Sequence, residues 1–194
     1  VKCVAKAYCK EGLIHYPLLN VSKRKPNTIP NKIINKMYTR MDNIDELWLR
    51  LLSEFYLSYK ELRSIKVKHI RLRTNSIIIS ERDKKYHIDN SSRLYRLLYK
   101  ISSQKLGDEY LITADGKDTP LAERTMQQRF NKYKDKFGFE YLKIIDFKDK
   151  RVLQYMINGV SKKQLVYLTN RINFKIYNNV FKKYTRTLRR YLND

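Results

Sequence analysis

The hydrophobic periodicity of the chain switches from helical to alternating and back to helical, and this switch limits the possible folds more than any other feature. Asn43-Ile44-Asp45-Glu46 has the pattern of a capping box, a polar N-cap followed three residues later by Glu. The apolar residues that come next recur at helical spacing, at Leu47, Leu51, Leu52 and Phe55. A helix is therefore predicted from Asn43, and a second, shorter helix is predicted from Ser58.

Three short segments after these helices have the composition of strands. His69 to Arg73 alternates apolar and polar residues, Ser76 to Ser80 is rich in Ile, and Lys85 to Asp89 is similar in length. Thr74-Asn75 and the polar run Glu81 to Lys84 can form the two turns between them. Together they predict a small antiparallel sheet.

Helical spacing then returns and continues to the end of the chain. The predicted helices are one capped by Asn90, one entered at Thr119-Pro120 and ended by Gly138, and then Asp146 to Ile157, Ser161 to Thr169 and Phe174 to Leu192. No internal repeat is present. The predicted fold class is therefore mainly α with a small three-stranded antiparallel sheet.

The charge of the chain indicates a polyanionic partner. Lys and Arg number 42 against 19 acidic residues, which gives a formal net charge of +23 over 194 residues. Such a charge repels itself in a compact state, so nucleic acid is the expected partner, with binding that weakens steeply as salt rises. The alternative is a protein that only tolerates basicity, for example in a high-salt cytoplasm or because an A/T-rich genome favours Lys codons.

Several classes of protein are not supported by the sequence. Apolar residues make up 42% of the chain, enough for a hydrophobic core, so disorder of the whole chain is not expected. No apolar run is long enough to span a membrane, and no secretory signal is visible. Cys3, Cys9 and His15 do not have the spacing of a common zinc site, so free thiols in a reducing compartment are expected.

From about Asn43 to its end, the chain resembles the catalytic domain of tyrosine recombinases, the phage-integrase family. The family's Thr-Gly-Leu-Arg-x-x-Glu-Leu motif before the sheet corresponds to a segment ending in Tyr56-Leu57-Ser58-Tyr59-Lys60-Glu61-Leu62. A Gly-Lys-x-Leu-Ser loop corresponds to Gly116-Lys117-Asp118-Thr119-Pro120, and an Asn-Gly-Val turn corresponds to Asn158-Gly159-Val160. The shared order of elements carries this resemblance more than any one motif does.

The resemblance implies a domain organisation and a set of partners. Residues 43–194 would form the recombinase-like DNA-binding domain. Residues 1–42 would be an N-terminal extension with the basic linker Lys23-Arg24-Lys25-Pro26, compatible with the tail of a missing N-terminal domain. Family members exchange C-terminal helices between protomers, so a homodimer or larger assembly on duplex DNA is a possible state. No cofactor and no metal is expected.

The resemblance also assigns positions in the active site. The family uses a Tyr nucleophile, two Arg that hold the phosphate, a Lys proton donor, and His partners. In the order of the chain, these positions fall on Ser58 for the first Arg, Lys84 for the Lys, Ile145 and Lys148 for the His and Arg of His-x-x-Arg, and Arg171 for the second His. Tyr177 and Tyr184 are the nearest candidates for the nucleophile. The more ordinary role of Tyr184 is in the core, because it lies on the apolar stripe of the last helix.

These replacements predict a degenerate active site. Ser58 has no charge, Lys148 keeps the charge without the guanidinium fork, and Ile145 cannot transfer a proton. We therefore expect an intracellular, sequence-specific or architectural DNA-binding protein that does not cleave DNA, located with the DNA and typical of a virus or mobile element. The expected phosphate contacts, gathered on one concave face, are Lys84, Lys148, Arg151, Arg171, Lys182, Lys183, Arg186, Arg189 and Arg190.

Two alternative functions stay open from the sequence. The first is a divergent active tyrosine recombinase or integrase that cleaves and rejoins DNA through Tyr177 or Tyr184. The second is an RNA-binding or ribosome-associated protein, whose basic charge would need no recombinase ancestry.

Overall fold

The computed structural model describes residues 29–114, 117–169, 174 and 177–178. Within them the helices are α1 (Asn31–Tyr38), α2 (Asn43–Glu54), α3 (Tyr59–Arg63), α4 (Arg93–Ser102), α5 (Glu123–Phe137), α6 (Ile144–Ile157) and α7 (Lys162–Thr169). The strands are β1 (Ile70–Arg71), β2 (Ser76–Ile79) and β3 (Lys84–His87). The predicted fold class, mainly α with a three-stranded antiparallel sheet, is confirmed.

The sheet has the strand order β1-β2-β3, with both pairs antiparallel. The register pairs Ile70 with Ile77 and Ile77 with Tyr86. Each turn is one 3₁₀ turn that ends on a left-handed residue, Asn75 at φ 46° and Asp83 at φ 48°. Asn and Asp tolerate this conformation better than most residues, which explains why these polar positions turn the chain.

Helix α2 is the centre of the core. Leu47, Trp48, Leu49, Leu51 and Leu52 are all fully buried, so this helix is covered on most sides and packs against α4 and α6. Burial on this scale contributes on the order of 1.5–3 kcal/mol for each large apolar side chain. The predicted α2 is therefore confirmed, and it carries more of the core than a one-sided apolar face would.

Helix α1 is an element that the sequence analysis did not predict. Ile29, Ile34 and Met37 are buried in the same core as α2. Residues 29–42, which were assigned to the N-terminal extension, therefore pack on the domain. The short sequence Asn31–Tyr38 offers only two helical turns, too few for periodicity to be read with confidence.

Most of the other predicted elements differ from the structure only at their ends. Ser58 and Glu61 form a reciprocal capping box at α3, and Gly138 ends α5 in a left-handed conformation at φ 72°. Ser92, rather than Asn90, caps α4. Thr119-Pro120 does not open α5, because Pro120 pairs with Thr113 in an isolated bridge and the helix starts at Glu123.

The last predicted helix, from Phe174 to Leu192, lies mostly outside the described residues. Phe174 and Tyr177 are buried against Val152 and Leu153 of α6 and Leu165 of α7, in a second, smaller apolar cluster. Among the residues that the structure describes, no helix is both long and apolar enough to cross a membrane.

Candidate nucleic-acid interface

The junction between α2 and α3 positions the first group of candidate residues. Tyr56 has φ 54°, a left-handed conformation that costs a residue with a side chain roughly 1–2 kcal/mol. It stands where the recombinase motif has Gly, and Gly adopts this conformation without that cost. Ser58 is exposed, and its hydroxyl donates to Glu61 Oε2 at 2.8 Å. The backbone therefore turns at Tyr56, and Ser58, which the resemblance assigns to the first Arg position, serves as a helix cap.

A guanidinium group does reach this junction, but it comes from Arg82 in the β2–β3 turn. Its Nε and Nη2 donate to the two carboxylate oxygens of Glu61, the second at 2.9 Å. Its Nη1 donates to Phe55 O at 3.2 Å and to Tyr86 Oη at 3.0 Å, and its Nη2 also donates to Tyr56 O at 3.0 Å. These five hydrogen bonds match the five N–H groups of an arginine. Arg82 therefore has no donor left for a phosphate in this conformation.

The ion pair of Arg82 with Glu61 is buried. The two side chains are 4% and 11% exposed. Burial alone would raise the pKa of Glu61, but the hydrogen bonds from Arg82 and Ser58 outweigh it and lower the pKa to about 2. The sequence analysis missed this pair and treated Arg82 as part of a polar turn. The two residues are 21 positions apart, and no periodic pattern in the sequence indicates that their side chains meet.

Lys148 lies at the same junction, on the first half of α6. Its ammonium donates to Leu57 O and lies 5.4 Å from the centroid of the Tyr56 ring. Burial lowers its pKa to about 8, an effect that the nearby carboxylate of Glu61 opposes. Ile145, one turn earlier, is half-buried and offers no ionisable group. Lys148, which the resemblance assigns to the second Arg position, is therefore a largely desolvated lysine.

Tyr177, the first candidate nucleophile, also reaches this junction. It is 1% exposed, and its hydroxyl donates to Asp149 Oδ1 at 2.6 Å. The hydroxyl of Tyr56 lies 3.4 Å away. Burial, and then the hydrogen bond to Asp149, raises the pKa of Tyr177 far above its usual range. Tyr184, the second candidate, lies outside the described residues.

We call the residues gathered here the junction cluster: Tyr56, Ser58, Glu61, Arg82, Lys148, Asp149 and Tyr177. Lys84 lies beside it at the start of β3. Its ammonium donates to Tyr167 O at 3.1 Å and lies 4.6 Å from the centroid of that ring. The Tyr167 ring is 6.3 Å from that of Tyr86, whose hydroxyl accepts from Arg82. A continuous chain of contacts thus joins Lys84 to the junction cluster.

The remaining predicted contacts divide into two groups. Arg151 is described, and its contacts are with its own helix: Nη1 donates to Gln154 Oε1 at 3.0 Å, and the guanidinium lies 4.7 Å from the Tyr155 centroid. Arg171, Lys182, Lys183, Arg186, Arg189 and Arg190 all lie outside the described residues.

A second basic region, which the sequence analysis did not anticipate, lies at the opposite end of α2. It is a cleft of about 680 Å³, which we call the far cleft; its basic lining residues are Lys100, Lys105, Arg129, Lys132 and Lys136. Asp42 and Asp45 also line the cleft and partly neutralise it, and Asp45 pairs with Arg129 at 3.4 Å. At about 1.5 Å per residue, the twelve residues of α2 separate this cleft from the junction cluster by roughly 18 Å. The positive charge is therefore not confined to one face.

Among the described residues, no group of three or more His, Cys, Asp or Glu side chains could hold a metal ion. Cys3, Cys9 and His15 lie outside those residues.

Comparison with solved structures decides the fold type. The structure is similar to that of XerA recombinase, with a TM-score of 0.64 and 12% sequence identity over 94% of this chain and 72% of that chain. It is also similar to the integrase of transposon Tn1549, solved in complex with a circular intermediate DNA. That match has a TM-score of 0.70 and 11% identity over 92% of this chain and 71% of the integrase.

The fold is that of tyrosine-recombinase catalytic domains. At 11–12% identity the likeness concerns the fold alone, and the recombinase fold is compatible with many sequences. No protein-family model matches the sequence, and no curated protein matches it.

Proposed function

We propose that this chain binds duplex DNA through the face on which Lys84 lies, beside the junction cluster, and that it does not cleave the DNA. The recombinase fold and the net charge of +23 support the DNA partner. In this proposal the chain is a degenerate recombinase relative with an architectural or regulatory role, acts inside the cell with the DNA, and assembles as a dimer on DNA.

The observation that carries the proposal is the state of the guanidinium at the junction cluster. A recombinase-type reaction needs charged donors aimed at the phosphate where negative charge develops, and loss of one such donor typically costs about 10²–10³ in rate. Here Ser58 holds the first Arg position as a helix cap, and all five N–H groups of Arg82 are used within the protein. The guanidinium of Arg82 therefore stabilises the fold and does not bind a phosphodiester.

A binding experiment tests the DNA partner and its face together. Random-sequence duplex DNA is titrated across a salt series, and the expected logarithm of affinity falls linearly with the logarithm of salt. Replacing Lys84 with Ala should lower the slope by roughly one, for the one phosphate that is no longer neutralised. The matched control replaces Lys100 of the far cleft with Ala, which removes the same charge and should change affinity much less. Equal losses of affinity in both variants would refute the proposed face.

The main alternative is an active enzyme, and one contact favours it. The Tyr177 hydroxyl lies 2.6 Å from the Asp149 carboxylate, a distance expected of a nucleophile and its general base. Against it stands the burial of that hydroxyl, which a phosphodiester could reach only after the surrounding residues move. A nicked suicide duplex separates the two functions: a covalent adduct that Tyr177→Phe abolishes establishes cleavage, and intact binding without an adduct supports the proposal.

RNA is the remaining alternative partner. Competition between duplex DNA and structured RNA of equal charge, at the same salt concentration, distinguishes the two. We expect the duplex DNA to compete more strongly, because the fold is shared with a protein solved on DNA. Preference for the RNA would overturn the DNA assignment.

A further inference from the structure

A small polar cavity lies on the other side of α6 from the junction cluster, and we call it the α6 cavity. Its volume is about 140 Å³, several times the roughly 30 Å³ that one water occupies in the liquid. Helices α1, α2 and α6 form its walls, and its charged lining residues are Arg50, Glu54, Lys150 and Arg151. Three cations thus share this space with one carboxylate.

The single carboxylate already has a partner. Glu54 Oε1 accepts from Arg50 Nη1 at 3.4 Å, and Arg50 Nε donates to Glu46 Oε1 at 2.8 Å. The Arg50 guanidinium also lies 4.0 Å from the centroid of Tyr38. Arg50 is therefore fully accommodated by the fold, and the excess positive charge of the cavity belongs to Lys150 and Arg151.

Among the described residues, neither of these cations pairs with a carboxylate, and each has a polar side chain as its hydrogen-bond acceptor. Lys150 is 9% exposed, and within the described part of the chain its ammonium donates to Asn31 Oδ1 and pairs with no carboxylate. The Nε of Arg151 is buried and has no hydrogen-bond acceptor there. A buried donor left without an acceptor costs about 1–3 kcal/mol, so native proteins rarely keep one without a reason.

We propose that the α6 cavity is a binding site for a phosphate group, held by the ammonium of Lys150 and the guanidinium of Arg151. A tetrahedral oxyanion supplies acceptors to both cations at once, and its charge offsets the surplus of two positive charges on the lining. The side chains of Asn31 and Gln154, which accept from Lys150 and Arg151, complete the polar part of the wall.

Burial of Lys150 is consistent with this site. Desolvation, together with the like charge of Arg151, lowers the pKa of Lys150 to about 8. A bound anion would favour the charged form and raise that pKa again. The site therefore predicts a titration that shifts with ligand, which a purely structural lysine would not show.

The first experiment uses inorganic phosphate and does not depend on DNA binding. The melting temperature of the protein is measured in phosphate and in chloride at matched ionic strength, with the Lys150 ammonium followed by NMR. We expect saturable stabilisation by phosphate and an upward shift of the Lys150 titration. Arg151→Gln should weaken phosphate binding by about 10- to 100-fold. The matched controls, Lys162→Gln and Lys163→Gln on the exposed face of α7, should leave it unchanged.

The second arm identifies where the phosphate group comes from. Arg151→Gln is compared with Lys162→Gln in duplex-DNA binding; a larger loss for Arg151→Gln assigns the site to a backbone phosphodiester, and equal values with phosphate binding retained assign it to a free phosphate. Arg151 is only partly buried, so its variant is expected to fold, and its denaturation curve checks this. Phosphate that acts no differently from chloride, with no Arg151-specific loss on DNA, overturns the site whether or not the chain binds DNA.

Discussion

Lys148 and Lys150 lie two residues apart on α6 and meet opposite surroundings. At 100° per residue, their side chains point to different sides of the helix. Lys148 faces the junction cluster, where Glu61 and Asp149 balance the two cations and the Arg82 donors all have acceptors. Lys150 faces the α6 cavity, where charge and donors are left over. Positive charge alone therefore does not define a phosphate site; the donors that the fold has not used do.

The largest expected effect follows from removing Arg82. Arg82→Met leaves the buried carboxylate of Glu61 without its partner, and breaking such a pair typically costs about 3–5 kcal/mol. It also removes the hydrogen bonds to Phe55 O and Tyr56 O that hold the left-handed turn. Urea denaturation measures the loss of stability. The matched control is Arg73→Ala, an exposed arginine in the other turn of the sheet, for which a change within about 0.5 kcal/mol is expected.

A loss below about 1 kcal/mol in Arg82→Met would contradict the structural role of this arginine. In that case the guanidinium of Arg82 would be available to bind phosphate. The junction cluster and the α6 cavity would then no longer differ in whether their donors are used. The double variant with Glu61→Gln sharpens the result, because it measures the coupling between the two side chains directly.

The same contrast shows what the sequence could and could not reveal. The helical spacing of Leu47, Leu51 and Leu52 predicted α2, and the Ile-rich run from Ser76 predicted β2, because amphipathic burial leaves a local periodic signal. The hydrogen-bond partners of Arg82 and the excess positive charge at Arg151 leave no periodic signal in the sequence. Both depend on which donors find acceptors across long stretches of chain, and only the packed structure determines that.

The site residues likewise divide into those that the sequence indicated and those that only the structure revealed. The resemblance to the recombinase motifs named Ser58, Lys148 and Tyr177, and the structure brings these three to one junction. It could not show that Tyr56 and Asp149 would join them, because the motif has Gly at the position of Tyr56 and the resemblance assigned no role to Asp149. Lys84 was named as a turn lysine, and its contact with Tyr167, 83 positions later, is a tertiary event.

A medium effect is expected from pH. Because the folded pKa values of Lys148 and Lys150 are lowered to about 8, the folded state gives up these protons before the unfolded state, whose lysines titrate near 10.4. The unfolded state then binds more protons, so stability rises with pH between about 8 and 9.5, below the usual tyrosine pKa near 10. After allowance for solvent screening, the expected gain is on the order of 1–2 kcal/mol.

Denaturation at matched ionic strength checks this rise. Lys148→Met and Lys150→Met should each flatten it, and the variant Lys162→Gln, at an exposed position, should retain it. Phosphate should flatten the part that belongs to Lys150 and leave the part that belongs to Lys148, because Lys150 lies in the α6 cavity with its excess of positive charge, whereas carboxylates balance the charge around Lys148. If phosphate changed the rise of stability with pH equally in Lys148→Met and Lys150→Met, the two sides of the helix would not differ.

The smallest effect is expected at Lys84, where adjacent lysines on β3 test which side of the sheet faces DNA. Lys84 is half-buried and held to Tyr167, whereas Lys85 is exposed, and side chains alternate between the two faces of a strand. Lys84→Ala should lower the salt slope of duplex binding by about one, with a stability change under about 1 kcal/mol. Lys85→Ala removes the same charge from the opposite face and should leave the slope unchanged. If Lys85→Ala lowers the slope and Lys84→Ala does not, the DNA lies on the other side of the sheet, away from the junction cluster.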